Sequence, residues 1–419
     1  MNNKVAFTIC SKNYIGLAAA LEKSFRLHNP DSDFFIFLAD ELSDSQLMEV
    51  PQSAVVAKGE LELSANEWTD MSFKYDVVEF CTAIKPFCFQ VLLNRGYEKA
   101  IYFDPDILVF DALDYVYEKL ETTSVIVVPH EVVIGSDNPQ RGGIYNLGFL
   151  ALKSSNASNR LLKWWGDRLK THAFSDPIRG FFTDQKWMDH LPVVLEAGEY
   201  YVSKHLGLNY APWNFDEREI LVIKEKYYIR LKTSEETMNP LVFFHFSAFK
   251  YEELSKGNYS HKTVDMKERE EPLYNLIRFY GDKIQESNFK KYLQWPYSYG
   301  VFSNGRLITL SFRRIYARLV TEDEILVNPF QSDGEFYNLL KKGGFVSKKD
   351  INVERLSIKK VSGLGFKVRV FDLISKLLIA VIGYDRYSLL GRFLIRYFHL
   401  NNRARLLNRS YRRFKIESF

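Results

Sequence analysis

The chain has 419 residues, of which 46% are hydrophobic, 15% aromatic and 26% charged. That much apolar material offsets the entropy of ordering a chain and excludes a largely disordered protein, and the length suits about two or three domains. The net charge of +4 conceals an asymmetry, because residues 359–419 carry +11 and the remainder −7.

The predicted elements run as follows. Lys4–Cys10 (KVAFTIC) reads as a buried strand, and residues 14–28 have helical spacing. Asn29-Pro30-Asp31 punctuates. Residues 34–39 (FFIFLA) form a second strand, 43–50 a short helix and 54–57 a third strand. Residues 75–95 read as a longer helix broken or kinked near Pro86. Lys99–Phe103 (KAIYF) is a strand, followed by Asp104-Pro105-Asp106 and an apolar run at 107–110. Strands at 124–128 and 148–152, helices at 156–170 and 183–190, and a strand at 241–246 (LVFFHF) complete a first unit. Residues 270–293 look helical. Strand and helix alternate with short connections, which predicts a mostly parallel α/β sheet covered by helices. The expected organisation is an α/β domain over 1–255, a mainly helical extension over 256–350 and a basic amphipathic segment over 351–419.

Cys10, Cys81 and Cys88 lack CxxC spacing, so neither a disulfide framework nor a zinc site is expected. They read as buried free thiols of a reducing compartment. The opening MNNKVAFTICSKNYIG lacks signal-peptide pattern, and no stretch reaches about 18 uninterrupted apolar residues. The expectation is a cytoplasmic protein.

Asp104 and Asp106 follow a buried strand, where residues i and i+2 project to one side. Pro105 between them favours an extended Asp104 and stiffens the pair. Two such carboxylates suit a hard divalent cation, Mn²⁺ or Mg²⁺, and equally a plain Asp-Pro turn. The DxD is joined by Lys85 in AIKP, Asn146 in YNLG, Thr183-Asp184-Gln185, and His245 in FHF.

In order and spacing these motifs resemble GT-A glycosyltransferases, and most of all glycosyltransferase family 8, over residues 4–250. The resemblance implies a metal held by Asp104, Asp106 and His245. It places Thr8, Asn13 and Tyr14 in a nucleotide-binding loop, with Tyr14 stacked on the base. Lys85, Asp104, Asn146 and Lys250 would face the donor, and Asp184 and Gln185 the transferred sugar or the reaction centre. Asn209 and Trp213 in LGLNYAPWNF would frame the sugar pocket. Each also has a structural reading: His245 as a core histidine, Lys85 as a routine helix residue, and Asp184 and Gln185 as a helix start capped by Thr183. The pattern departs from the family after His245, where HFSAFKY lacks the usual glycine and brings Lys250 one position early.

The implied function is metal-dependent transfer of a sugar from a nucleoside-diphosphate sugar, a UDP-sugar being favoured, to a glycan or lipid-linked glycan of a bacterial surface polysaccharide. Retention is favoured over inversion. In an inverting reaction Asp184 is the candidate base. A catalytically weak nucleotide-sugar-binding or scaffold protein is the alternative. A dinucleotide oxidoreductase is strongly disfavoured, since no GxGxxG follows the first strand. A nucleotidyltransferase is disfavoured by the absence of a Gly-rich, Arg-containing loop there. In the basic segment, Arg and Lys alternate with Leu, Ile, Phe and Tyr at helical spacing, as in helices that lie on a membrane. The expectation is peripheral attachment to the inner membrane face. Nucleic acid is the less favoured partner, and an ordinary basic helical domain or protein-docking surface is the bland reading.

Overall fold

The computed structural model describes residues 2–133, 142–262, 264, 266, 269–321, 327–346, 363–407, 410–413 and 415–416. Lys359 and Lys360, at the head of the basic segment, lie outside them. The chain forms two compact units, Met1–Trp68 with Val77–Ser298, and Thr69–Asp76 with Tyr299–Phe419.

The first unit is built on a central sheet. Its strands are β1 (Lys4–Cys10), β2 (Asp33–Leu38), β3 (Ala54–Val56), β4 (Lys99–Phe103), β6 (Val125–Val127) and β7 (Phe149–Lys153), with Tyr200–Val202 at one edge. A further strand, β5 (Ile107–Val109), lies outside it. From that edge the sheet order is Tyr200–Val202, β6, β7, β4, β1, β2, β3. β1 runs parallel to both β2 and β4, and β2 to β3, whereas β7 is antiparallel to both its neighbours. The expected mixed α/β class with a mostly parallel sheet is therefore what the chain adopts. Every residue of β1 after Lys4 is buried, which is why KVAFTIC reads as a continuous apolar run rather than an alternating one.

The chain leaves β1 through helix Ile15–His28 to β2 on one side, and reaches β4 on the other. β1 and β4 thus flank the point where strand order reverses. Beyond the carboxyl ends of such strands an open α/β sheet forms a crevice.

Local chemistry adjusts several predicted elements. The helix expected over 75–95 is two, Val77–Ala83 and Lys85–Asn94, because Pro86 sits in the first turn of the second and has no N–H to continue the first. Residues 185–190 form a 3₁₀ helix, and Asp184 at its N-cap makes no side-chain capping bond. The helix expected over 270–293 stops at Glu286 and restarts at Phe289, with Asn288 between them at φ +58°. An antiparallel sheet over Arg218–Ile223, Lys226–Leu231 and Ser234–Pro240 was not anticipated.

The division also differs from boundaries at 255 and 350. Leu273, Leu276, Ile277, Tyr280 and Ile284 pack into a core cluster with Leu17, Phe244, Phe246 and Leu254, so the Glu271–Glu286 helix belongs to the first unit. In the second unit Phe73, Phe302, Ile315, Leu319, Phe336 and Leu340 form a separate core. There the buried Arg313 donates to the carbonyls of Ser72, Phe73, Tyr75 and Tyr299 at 2.6–3.1 Å.

Candidate functional site

A cleft of about 230 Å³ opens at the ends of β1 and β4. Asn13, Tyr14, Tyr102, Asp104, Pro105 and Asp106 line it, with Cys10, Val77, Val78, Cys81 and Thr82. A polar turn with a tyrosine and a carboxylate pair therefore share one opening. Thr8 is fully buried on the β1 face shared with Ala6 and Cys10, outside that lining, and its hydroxyl has no partner among the described residues. Lys250 is exposed just before the short helix Tyr251–Leu254.

His245 meets the carboxylates because β5 pairs antiparallel with Phe243–His245, with His245 opposite Ile107. Its Nε2 lies 3.1 Å from Asp106 Oδ1 and 3.7 Å from Asp104 Oδ2. One ligand atom from each of the three residues falls within 4.8 Å of the others. The remaining oxygens are held from behind. The Tyr102 hydroxyl donates to Asp104 Oδ1 at 2.6 Å, and the Tyr251 hydroxyl to Asp106 Oδ2 at 2.6 Å. Burial, and then the adjacent carboxylate, raises both phenols far above their usual range, so both stay protonated donors. Two carboxylate oxygens and an imidazole nitrogen converging this way suit Mn²⁺ or Mg²⁺ in donor chemistry.

The three groups are electrostatically coupled. Burial raises the Asp104 carboxyl, against the pull of Lys85 and His245. For Asp106, burial is outweighed by His245 and by hydrogen bonds from His245 and Tyr251, and its carboxyl is lowered. Burial of His245 is outweighed in turn by Asp106, and its imidazole is raised. His245 Nδ1 lies 3.3 Å from Asn209 Oδ1, an acceptor that keeps the ring's other nitrogen turned to the carboxylates. Gly148 makes room for this ring, since a Cβ there would lie 2.4 Å from His245 Cε1.

Lys85 and Asp184 form a second, sealed pair. Lys85 Nζ donates to Asp184 Oδ2 at 2.6 Å and to the Leu147 carbonyl at 2.8 Å, and it lies 4.1 Å from the centre of the Tyr102 ring. The two side chains are 1% and 3% exposed. Asp184 Oδ1 accepts from the Thr183 hydroxyl at 3.1 Å. Thr183 itself has φ +48°, an uncommon conformation for a β-branched residue. Lys85 is absent from the cleft lining.

Gln185 and Asn146 fall in one network with a residue the motif reading overlooked, His130. Gln185 accepts from Leu147 N at 3.1 Å and donates to the Gly142 carbonyl at 2.8 Å. Asn146 Oδ1 accepts from Gly148 N at 3.1 Å, and its amide faces His130 Nε2 at 3.3 Å. Burial lowers the His130 imidazole and favours its neutral form. Trp213 stands edge-on to His245 at 5.0 Å and beside His130 at 5.6 Å. Trp213 Nε1 and Asn209 Nδ2 are buried with no partner among the described residues, as donors kept for a ligand would be. Tyr102 was also overlooked, although it lies two residues before Asp104 on an extended strand and shares its face. His130 and Tyr251 carried no local signal.

No protein-family model matches the chain. It is 28% identical over 274 residues to the uncharacterized protein YfnF of Bacillus subtilis (strain 168), covering 61% of this chain and 85% of that protein. Among solved structures it is similar to the galactosyltransferase LgtC in complex with donor and acceptor sugar analogues, with 12% identity, a TM-score of 0.40 and coverage of 67% of this chain and 95% of that one. It is also similar to the glycosyltransferase GlyE of Streptococcus pneumoniae TIGR4, with 14% identity, a TM-score of 0.38 and coverage of 71% and 67%.

Proposed function

We propose that the protein is a metal-dependent glycosyltransferase that moves a sugar from a nucleoside-diphosphate sugar, a UDP-sugar being favoured, to a glycan or lipid-linked glycan of a bacterial surface polysaccharide. The observation that carries this reading is the cleft at the β1/β4 switch point. It brings Asn13 and Tyr14 into one opening with Asp104 and Asp106, and His245 meets those carboxylates. A base and ribose would lie against Tyr14 and Asn13. Mn²⁺ or Mg²⁺ held by Asp104, Asp106 and His245 would neutralise charge on the diphosphate as it leaves.

The chain's own residues account for the rest. Tyr102 and Tyr251 fix the carboxylate orientations before the donor arrives, which limits reorganisation during reaction. Asn146, Gln185, His130 and Trp213 lie together beside His245 and would meet the sugar hydroxyls. In the reaction the anomeric carbon–phosphate oxygen bond breaks with its electron pair on the diphosphate. The acceptor oxygen bonds the same carbon. Both Asp184 oxygens are already engaged, by Lys85 and Thr183, so Asp184 is poorly placed as a free base. That supports retention, with the acceptor proton passing to the departing phosphate oxygen.

The test is thermal unfolding of the purified protein with UDP, GDP, CDP and dTDP, each with and without Mn²⁺. Ligand at 100 times its dissociation constant adds about 2.7 kcal/mol of stability. A Mn²⁺-dependent shift with one diphosphate, lost in the Asp104→Asn/Asp106→Asn variant, is expected. No shift with any of them overturns the donor-site assignment.

A further inference from the structure

The helices Leu364–Ile382 and Tyr384–Tyr397 form a hairpin, and neither contains a buried residue. On the first, Phe366, Val370, Leu373, Ile374, Leu377 and Val381 recur every three or four residues and so share one side. Their exposures run from 39% to 81%. The half-buried Ser375, Leu378, Ile379 and Ile382 point elsewhere around the helix. Tyr387 of the second helix reaches that other side, donating to Ser375 Oγ at 3.0 Å. The hairpin's own packing therefore leaves the stripe uncovered among the described residues. Leu389, Phe393 and Ile395 add exposed apolar area on the second helix. A soluble protein rarely leaves so continuous an apolar surface in water without a partner for it.

Charge identifies that partner. Residues 364–397 hold six Lys or Arg and two Asp. On the first helix Lys367 flanks the stripe on one side and Arg369 and Lys376 flank it on the other, with Asp372 beyond them. Four charged residues within 19 argue against a span, which needs about 20 predominantly apolar residues. A broad apolar face flanked by basic residues fits the boundary between headgroups and acyl chains. Nucleic acid would engage the Arg and Lys and leave the apolar stripe in water.

We propose that the 364–397 hairpin docks the protein on an anionic phospholipid bilayer. The Phe366–Val381 stripe enters the acyl boundary, and Lys367, Arg369, Lys376, Arg386 and Arg392 face the phosphates. Attachment is independent of the donor site, so either reading can fail alone.

The full chain is sedimented with phosphatidylcholine vesicles, with and without phosphatidylglycerol. Two variants run beside it, Leu373→Glu/Leu377→Glu and Arg369→Gln/Lys376→Gln. All four side chains are exposed, and unchanged melting together with the diphosphate-dependent shift of the wild type verifies the fold. Binding to the anionic vesicles is expected, weaker in high salt and reduced at least about ten-fold by either variant. Absence of vesicle binding, or binding unchanged by Leu373→Glu/Leu377→Glu, overturns the proposal. So does a wild-type dimer that this variant dissociates and that binds no vesicles, because the stripe would then be an interface between copies. Binding to RNA in place of vesicles overturns it as well.

Discussion

Replacing Lys85 by Met tests whether the Lys85–Asp184 pair is sealed from water. The substitution preserves most of the side-chain volume and removes one charge. It leaves a carboxylate that is 3% exposed with the Thr183 hydroxyl in place of a cation, and it strips the Leu147 carbonyl of a donor 2.8 Å away. Removing one partner of such a buried pair costs about 3–5 kcal/mol. Asp184→Asn should cost less, because an asparagine oxygen still accepts from Lys85 and the ammonium keeps the Leu147 carbonyl and the Tyr102 ring, 4.1 Å from its centre. The double variant Lys85→Met/Asp184→Asn strands no charge, and its cost should fall below the sum of the two by about 2 kcal/mol, within the range for groups in direct contact. Urea unfolding of the four proteins, followed by tryptophan fluorescence, supplies the cycle, provided their m-values agree. Additive single costs, or a Lys85→Met cost under about 1 kcal/mol, the range of exposed pairs, would refute the reasoning.

Three further outcomes are expected. Tyr251→Phe removes the 2.6 Å donor to Asp106 Oδ2, and Mn²⁺ affinity measured by calorimetry should fall by about 10–100-fold; an unchanged dissociation constant would contradict an orienting role. Gly148→Ala places a Cβ 2.4 Å from His245 Cε1 and 2.8 Å from Asn146 Oδ1, so His245 must move and Mn²⁺ binding weaken, whereas wild-type affinity would show that the ring is not confined there. His205, packed 4.7 Å from the Tyr115 ring, is held down to about 4 by burial, with Arg218 adding to the effect. Well above pH 6.5 it is neutral in both states and contributes no pH dependence. As pH falls from 6.5 to 4 the unfolded chain takes up a proton that the fold refuses, so stability drops by about 2–3 kcal/mol and then levels. His205→Gln should flatten that part of the stability–pH curve, and an unaltered slope would remove His205 as its cause.

Much of the first unit was legible because its signals are local. The apolar runs of β1, β2 and β4 are short, uninterrupted and bounded by turn residues, as strands buried on both faces must be. Pro86 marked the break between Val77–Ala83 and Lys85–Asn94. The Arg218–Pro240 sheet escaped notice because charged and half-exposed residues in Arg218–Ile223 and Lys226–Leu231 blur the two-residue alternation. The helical spacing of 270–293 did not disclose that most of it packs with Phe244 and Phe246.

By itself the sequence determined what neighbouring residues can do. Asp104 and Asp106 share a side because an extended strand repeats every two residues, Tyr102 joins them for the same reason, and the stripe from Phe366 to Val381 follows from the helical repeat. Tertiary structure alone decided the contacts between residues far apart in the chain. His245 reaches Asp106 through strand pairing across more than a hundred residues, Tyr251 closes over the same carboxylate, and Lys85 finds Asp184 rather than the open cleft. Those contacts depend on sheet order and register, which are set by how the whole core packs. A periodicity records which side a residue faces, and only the assembled fold decides what stands opposite.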